Sequence, residues 1–294
     1  MHKNVRSVAR GVAAACAALG VVACGSSNNS PTGGGPHAAS VTVSPPTSTL
    51  VAGDSVGLTA TVKDGQGNTI SNPTITWSAS DTNAVAVSAA GMVSTLLAST
   101  DTITATSGGV SGAAVVTVQA PAPIAMHEGG LVGAVTFDNG STASGGQGNP
   151  VDTIPCGSGA DAEHYHAHVS LIVNGRQVAI PLGIGIKNAV VVGDSLAIAG
   201  TCFYWLHAHD RTGIIHVEPS ETGHTSTLGE YFDVWGEPLT SGNVAGNQGA
   251  VTVYVDGARY FGDPRAIALS AHQLITLEVG QRVAPPVFDF PPDY

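Results

Sequence analysis

The chain has 294 residues, a length for about two domains plus tails. Apolar residues make up 43%, aromatics only 5% and charged residues 11%, with 38 glycines, a mix that points to all-β, extracytoplasmic architecture rather than helical bundles. The net charge of −11 repels phosphate backbones and excludes nucleic acid as a partner, and the absence of a Walker loop or a Gly-x-Gly-x-x-Gly turn leaves nucleotide chemistry unsupported.

Residues 1–10 carry Lys3, Arg6 and Arg10, and residues 11–23 are Gly, Val, Ala, Leu and one Cys. That apolar run is too short to span a bilayer, which takes ~20 residues, and has the length of a signal-peptide core. It ends Val21-Val22-Ala23-Cys24, which resembles the lipobox of bacterial lipoproteins. The resemblance implies cleavage before Cys24, a diacylglyceryl thioether on Cys24, and a membrane partner reached through that lipid anchor. Gly25, where an Asp would retain the protein at the inner membrane, implies the outer membrane in a two-membrane bacterium. An ordinary signal peptide cut elsewhere is the alternative. Removal of residues 1–23 deepens the net charge to −14. Residues 24–39 read as a flexible tether.

From residue 40 to 119 short alternating runs succeed one another. They place strands at 41–45, 55–63, 73–78, 84–88, 91–96, 102–106 and 113–118, separated by turn signals such as Asp64-Gly65-Gln66-Gly67-Asn68. The segments SVTVSP, LTATVKDGQGN, ITWSASDTNAVAVS, GMVSTL and ITATSGGVSGAAVVTV resemble the group 2 bacterial immunoglobulin-like domain, with Trp77 as its core tryptophan. The resemblance implies a sandwich serving as a spacer or adhesive module. Gly53-Asp54-Ser55-Val56-Gly57 matches the nucleophile-elbow pattern, but no helix follows and the segment holds no His, so it reads as a strand start.

Residues 120–126, with Ala120-Pro121-Ala122-Pro123, form a linker. Residues 127–294 then read as a second β-rich body with one short helix, in which nine of the eleven His lie. Cys156 and Cys202 are the pair left once Cys24 is lipidated. In an exported protein they are expected to form a disulfide, with a thiolate metal ligand as the alternative.

Two histidine clusters follow. Within 163–175, Tyr165, Ala167, Val169, Leu171 and Val173 take one strand face; His164, His166 and His168 take the other, about 6–7 Å apart, before an Asn174-Gly175 turn. Within 203–210, His207 and His209 share a face. After the turn at 211–213, the strand 214–218 puts His216 and Glu218 together. Six of the eleven His fall within the 53 positions 164–216, where chance places about two. A His-x-His strand aims two imidazoles to one side, and a third from a neighbour completes a facial set with an open position. His164, His166, His168, His207, His209 and His216 are therefore the candidate metal ligands, enough for one ion or two. All-imidazole ligation suits zinc, copper(II) or nickel, and copper or zinc is the expected cofactor; blue copper lacks its thiolate. Glu218 and Asp210 are candidate hydrogen-bond partners of the ligands, ligands themselves, or a catalytic base. Asp210 also fits a turn residue. Phe232 and Trp235 suit a short helix packed on the sheet. His224 and His272 are isolated. Strands return at Val-Thr-Val-Tyr-Val, Ile-Ala-Leu and Leu-Ile-Thr-Leu-Glu-Val between 250 and 279.

The patterns His-x-His…Asn-Gly, Leu-His-x-His-Asp-x-x-Gly-Ile-Ile-His-Val-Glu and Leu-Gly-x-x-Phe-x-x-Trp-Gly, over 163–280, resemble a set of uncharacterised prokaryotic extracytoplasmic proteins. That resemblance sets motif boundaries and implies no activity. Three functions fit: metal capture or delivery, a three-His metalloenzyme with metal-activated water, or a surface adhesion or structural protein. An envelope protein or surface glycan is a further possible partner of the last.

Overall fold

The computed structural model describes residues 36–157 and 162–294; the leader, Cys24 and most of the tether fall outside the described residues. The fold is all-β with a single α-helix among the described residues, and no helix there is long and apolar enough to cross a membrane.

Residues 40–119 build nine strands: β1 Ser40–Ser44, β2 Thr47–Val51, β3 Ser55–Gly57, β4 Thr59–Lys63, β5 Thr76–Ala79, β6 Val85–Val87, β7 Met92–Thr95, β8 Ser99–Ser107 and β9 Val110–Gln119. Sheet β2–β9–β8–β5 faces sheet β3–β7–β6 over a core of Val41, Val43, Leu58, Val62, Val85, Val93, Ile103 and Val116, with β1 paired to β4. Trp77 is half-buried at the edge of that core. Two expectations need correction. The run 55–63 is two strands, because the Leu58 N–H donates to the Gly91 carbonyl and the chain changes sheets there. Thr47–Val51 is a strand the alternation did not flag; its partly exposed residues follow a Pro-Pro pair and run parallel to β9. Gly112 is required for packing: a Cβ there would fall 2.2 Å from the Val41 carbonyl oxygen, so only glycine lets β1 approach β9 this closely. Ser55 starts β3, as the failed elbow pattern implied.

The linker is shorter than 120–126. Ile124–Ala125 pairs parallel to Phe288–Asp289, and Met126 is buried with Ile214 and Phe288. Beyond it one seven-stranded sheet dominates. Its strands are β10 Tyr165–Val173, β11 Arg176–Val178, β14 Leu206–His207, β15 Ile214–Val217, β16 Val251–Val255, β17 Ala258–Tyr260 and β18 Leu274–Val279. Two further strands, β12 Leu196–Ala199 and β13 Cys202–Tyr204, lie outside that sheet. The sheet order is β14–β15–β10–β18–β16–β17, with β11 also on β10; β10 and β18 run parallel. Asn174 and Gly175 both take positive φ, 49° and 77°, as the β10–β11 hairpin demands. The Ile267–Leu269 run is not a strand: it follows a 3₁₀ turn at Pro264–Ala266, and Ala268 alone bridges to Thr227.

One face of this sheet is the core. Ala167, Val169, Leu171, Ile215, Val217, Ile275 and Leu277 alternate onto it and meet Leu228, Tyr231, Phe232 and Trp235 of α1, Leu228–Trp235. Thr227 and Glu230 form a reciprocal capping box, and Gly236 closes the helix at φ 85°. Fixing the apolar face against α1 forces every alternate residue onto the opposite face.

Cys156 and Cys202 are disulfide-bonded, with Cα atoms 5.4 Å apart. The bridge staples Cys156–Gly157 to β13 across 46 residues. Replacing both cysteines by serine should lower unfolding free energy by ~4 kcal/mol on the chain-entropy account. Trp235→Ala should cost about 3–5 kcal/mol through the cavity it leaves. Denaturant titration checks both, and a loss under 1 kcal/mol for the double serine variant would contradict the staple.

Candidate metal centre

The face opposite α1 carries the histidines, and strand register explains why they meet. His207 pairs with His216 across β14 and β15, and His216 pairs with His166 across β15 and β10. Three imidazoles thus stand in one row over three adjacent strands. His164 and Glu218 flank the row on the same side, each two residues from a row member, and so does His209.

The nitrogens converge closely. His164 Nε2 lies 3.1 Å from His166 Nε2, which lies 3.1 Å from His216 Nδ1. His207 Nε2 lies 3.1 Å from His209 Nε2. Ligand atoms about 2.0–2.1 Å from a zinc ion stand about 2.9–3.4 Å apart, so these separations suit donors of a shared ion. Two sets result, His164–His166–His216 and His207–His209–His216, each with its donor atoms within 4.8 Å of one another. Glu218 Oε1 sits among them, 3.1 Å from His164 Nε2, 3.5 Å from His216 Nδ1 and 3.8 Å from His207 Nε2.

Backbone carbonyls fix two of the rings. His207 Nδ1 is 2.9 Å from the Tyr204 oxygen, and His209 Nδ1 is 2.5 Å from the Ala197 oxygen in β12. A carbonyl only accepts, so both Nδ1 atoms carry the proton and both Nε2 atoms present a lone pair. Two lone pairs then face each other at 3.1 Å with no hydrogen between them. A shared cation, or a second proton on one ring, satisfies that contact. On His207, burial opposes the proton. Desolvation first, then the neighbouring His216, holds His207 down to about 3. Desolvation also holds His216 down to about 2, aided by His209, His166 and His164. His166 is held to about 4 by desolvation and by His164.

Two expected residues stand elsewhere. His168 shares the face but belongs to neither set: its Nε2–H donates to the Thr212 carbonyl at 2.8 Å, and Phe288 lies tilted against its ring. It is a buried, satisfied histidine. Asp210 holds a turn. Its Oδ1 accepts from the Thr212 N–H and hydroxyl and its Oδ2 from the Gly129 N–H, which occupies both oxygens inside the protein.

Other residues complete the surroundings. Tyr294 places its ring 4.3 Å from that of His166 and 5.4 Å from that of His216. Phe203 packs edge-on to His207 at 5.3 Å. His164 is half exposed and opens onto a cleft of about 350 Å³ lined by His166, His272, Asp293 and Tyr294. His272 Nε2 meets the Tyr294 oxygen, and His224 pairs with Glu230 beside Trp205, so both stand outside the cluster. Tyr294 carried no motif that distinguishes it; the aromatic spacing Phe288, Phe290, Tyr294 was its one signal.

No family model and no curated protein matches the chain. Matched solved structures include the surface layer protein SbsC, domains 1–6, at 23% identity over 30% of this chain and 14% of that one, with a TM-score of 0.27. SbsC domains 5–6 match at 15% identity over 83% of this chain and 98% of that one, TM-score 0.27. The Yersinia pseudotuberculosis adhesin InvE matches at 13% identity over 81% and 62%, TM-score 0.22. The chain spans 14–53% of the length of the first SbsC structures it matches. At such TM-scores the matches establish neither a shared site nor a shared activity.

The buried imidazoles set a pH dependence. Unfolded, each takes up a proton near pH 6.5; folded, His168 and His166 resist until about 4 and His207 until about 3. The unfolded state therefore binds more protons throughout that window, so stability of the metal-free protein should fall as pH falls from 6.5 to 4. Glu278, pushed up to about 7 by burial, acts in the opposite sense, but as one group against several. Thermal melts in chelator across pH 4–8 check this; a melting temperature that holds or rises on acidification would contradict it.

Proposed function

We propose that the second body is a histidine-built centre for copper or zinc on a lipid-anchored cell-envelope protein, and that it serves metal capture or delivery. The observation that carries this is the pair of Nε2 lone pairs of His207 and His209, held face to face at 3.1 Å by carbonyls on their other nitrogens. His164, His166, His216 and Glu218 supply further donors within the same cluster. The disulfide agrees with an oxidising compartment outside the cytoplasm. Attachment through Cys24 to the outer membrane follows from the leader alone.

A catalytic use of the same centre has one supporting feature, the cleft onto which half-exposed His164 opens. There Glu218, which sits among the donors, is the candidate base, whereas Asp210 is engaged in the 210–212 turn. A second reading is a surface adhesion or structural protein that binds an envelope protein or glycan. Its support is the sandwich of residues 40–119, which offers surface and length but contains neither His nor Cys.

The test is metal content. Purified protein, stripped with chelator and then exposed to zinc or copper(II), should retain bound metal on gel filtration. Zinc at about 100 times Kd should stabilise it by about 2.7 kcal/mol. His207→Ala combined with His209→Ala should lose metal while keeping its fold, and His168→Asn should keep the wild-type content. Full metal content in the His207/His209 variant would overturn the site. No retained metal in the wild type would leave the surface-protein reading.

A further inference from the structure

We propose that the cluster holds two metal ions in unequal settings: an enclosed one at His207 and His209, and an exchangeable one at His164 and His166, joined through His216 and Glu218. The inference rests on the metal-binding reading and specifies how many ions the centre takes and which of them meets the outside.

Donors of a single ion lie within about 4.2 Å of one another, twice the metal–nitrogen bond. Five histidines around one ion would form one mutual set. They form two instead, with only His216 in common. An imidazole has two ring nitrogens and can serve two ions once both are deprotonated, and a carboxylate can bridge two ions through one oxygen or through both. Both shared groups are in place. His216 is the middle member of the row, its ring 4.4 Å from that of His166 and 5.1 Å from that of His207. Glu218 Oε1 lies 3.1 Å from a donor of one set and 3.8 Å from a donor of the other.

The two settings differ in ways that predict different exchange. His207 is fully buried and His209 partly so, and Phe203 packs on both. Both rings are locked by carbonyl bonds, so little side-chain freedom remains to be lost on binding. His164 has a side chain 50% exposed, and it lines the open cleft with His166. Among the described residues its ring meets His166, His216 and Glu218. A ligand with that exposure dissociates readily and leaves room for an incoming group. The first position would anchor an ion; the second would pass one on or present it to a small molecule in the cleft, beside Tyr294.

The experiment counts zinc ions in the chelator-stripped full-length protein by native mass spectrometry, before and after a short challenge with a moderate chelator. The wild type should take two equivalents and keep one through the challenge. His164→Ala combined with His166→Ala should take one, resistant equivalent. His207→Ala combined with His209→Ala should lose the resistant equivalent. One equivalent in the wild type would overturn the two-ion proposal while leaving the metal-binding reading intact; none would overturn both. Two equivalents in the wild type that leave together under the challenge would overturn the unequal settings. The wild-type counts need no variant to fold, and thermal melts identify any variant that has not.

Discussion

The Nδ1–H bonds from His207 and His209 to the carbonyls of Tyr204 and Ala197 are the constraint on which the centre depends. They decide the tautomer, and the tautomer decides that two lone pairs converge rather than a donor and an acceptor. The surrounding structure sets up those two bonds. The disulfide and the pairing of Cys156–Gly157 with β13 place the Tyr204 carbonyl. The chain then leaves that sheet at Trp205, so β14 joins β15 and sets His207 beside His216. A backbone bond from Ala197 N–H to the His209 carbonyl holds β12 against His209 as well.

Electrostatics acts in the same direction. The chain is acidic, with 10 Lys and Arg against 21 Asp and Glu, so its field draws cations and disfavours anions. Locally, burial keeps the imidazoles neutral at ordinary pH, which leaves their nitrogens as donors to a metal instead of carriers of protons. Glu218 brings a carboxylate into the cluster of imidazoles. The apolar face of the same sheet, packed on α1, supplies the rigidity that holds the row in register.

Much of this was legible in the residues because a strand has a period of two. Alternation in 164–173 separates the histidines from Ala167, Val169 and Leu171 without any knowledge of the partner strands, and the Phe232/Trp235 spacing marks the helix. What alternation cannot supply is register. Alternation gives His168 the same standing as His166, whereas pairing sets His168 opposite Ile214, two residues beyond the row, where its N–H donates to the Thr212 carbonyl. Asp210 was equally ambiguous until the Thr212 and Gly129 N–H groups claimed its oxygens. The Ala197 carbonyl and the Tyr294 ring come from segments distant in sequence and carry no motif, so only the tertiary structure brings them to the site. In residues 40–119 the same limit appears at Leu58, where one alternating run serves two sheets.

The most direct measurement is an anomalous difference map from crystals of the protein grown with zinc, with data collected at and below the zinc absorption edge. A zinc ion shared by the two rings gives an edge-specific peak about 2 Å from both His207 Nε2 and His209 Nε2. Density with no anomalous peak there, and the two rings moved into an N–H···N hydrogen bond, would contradict it.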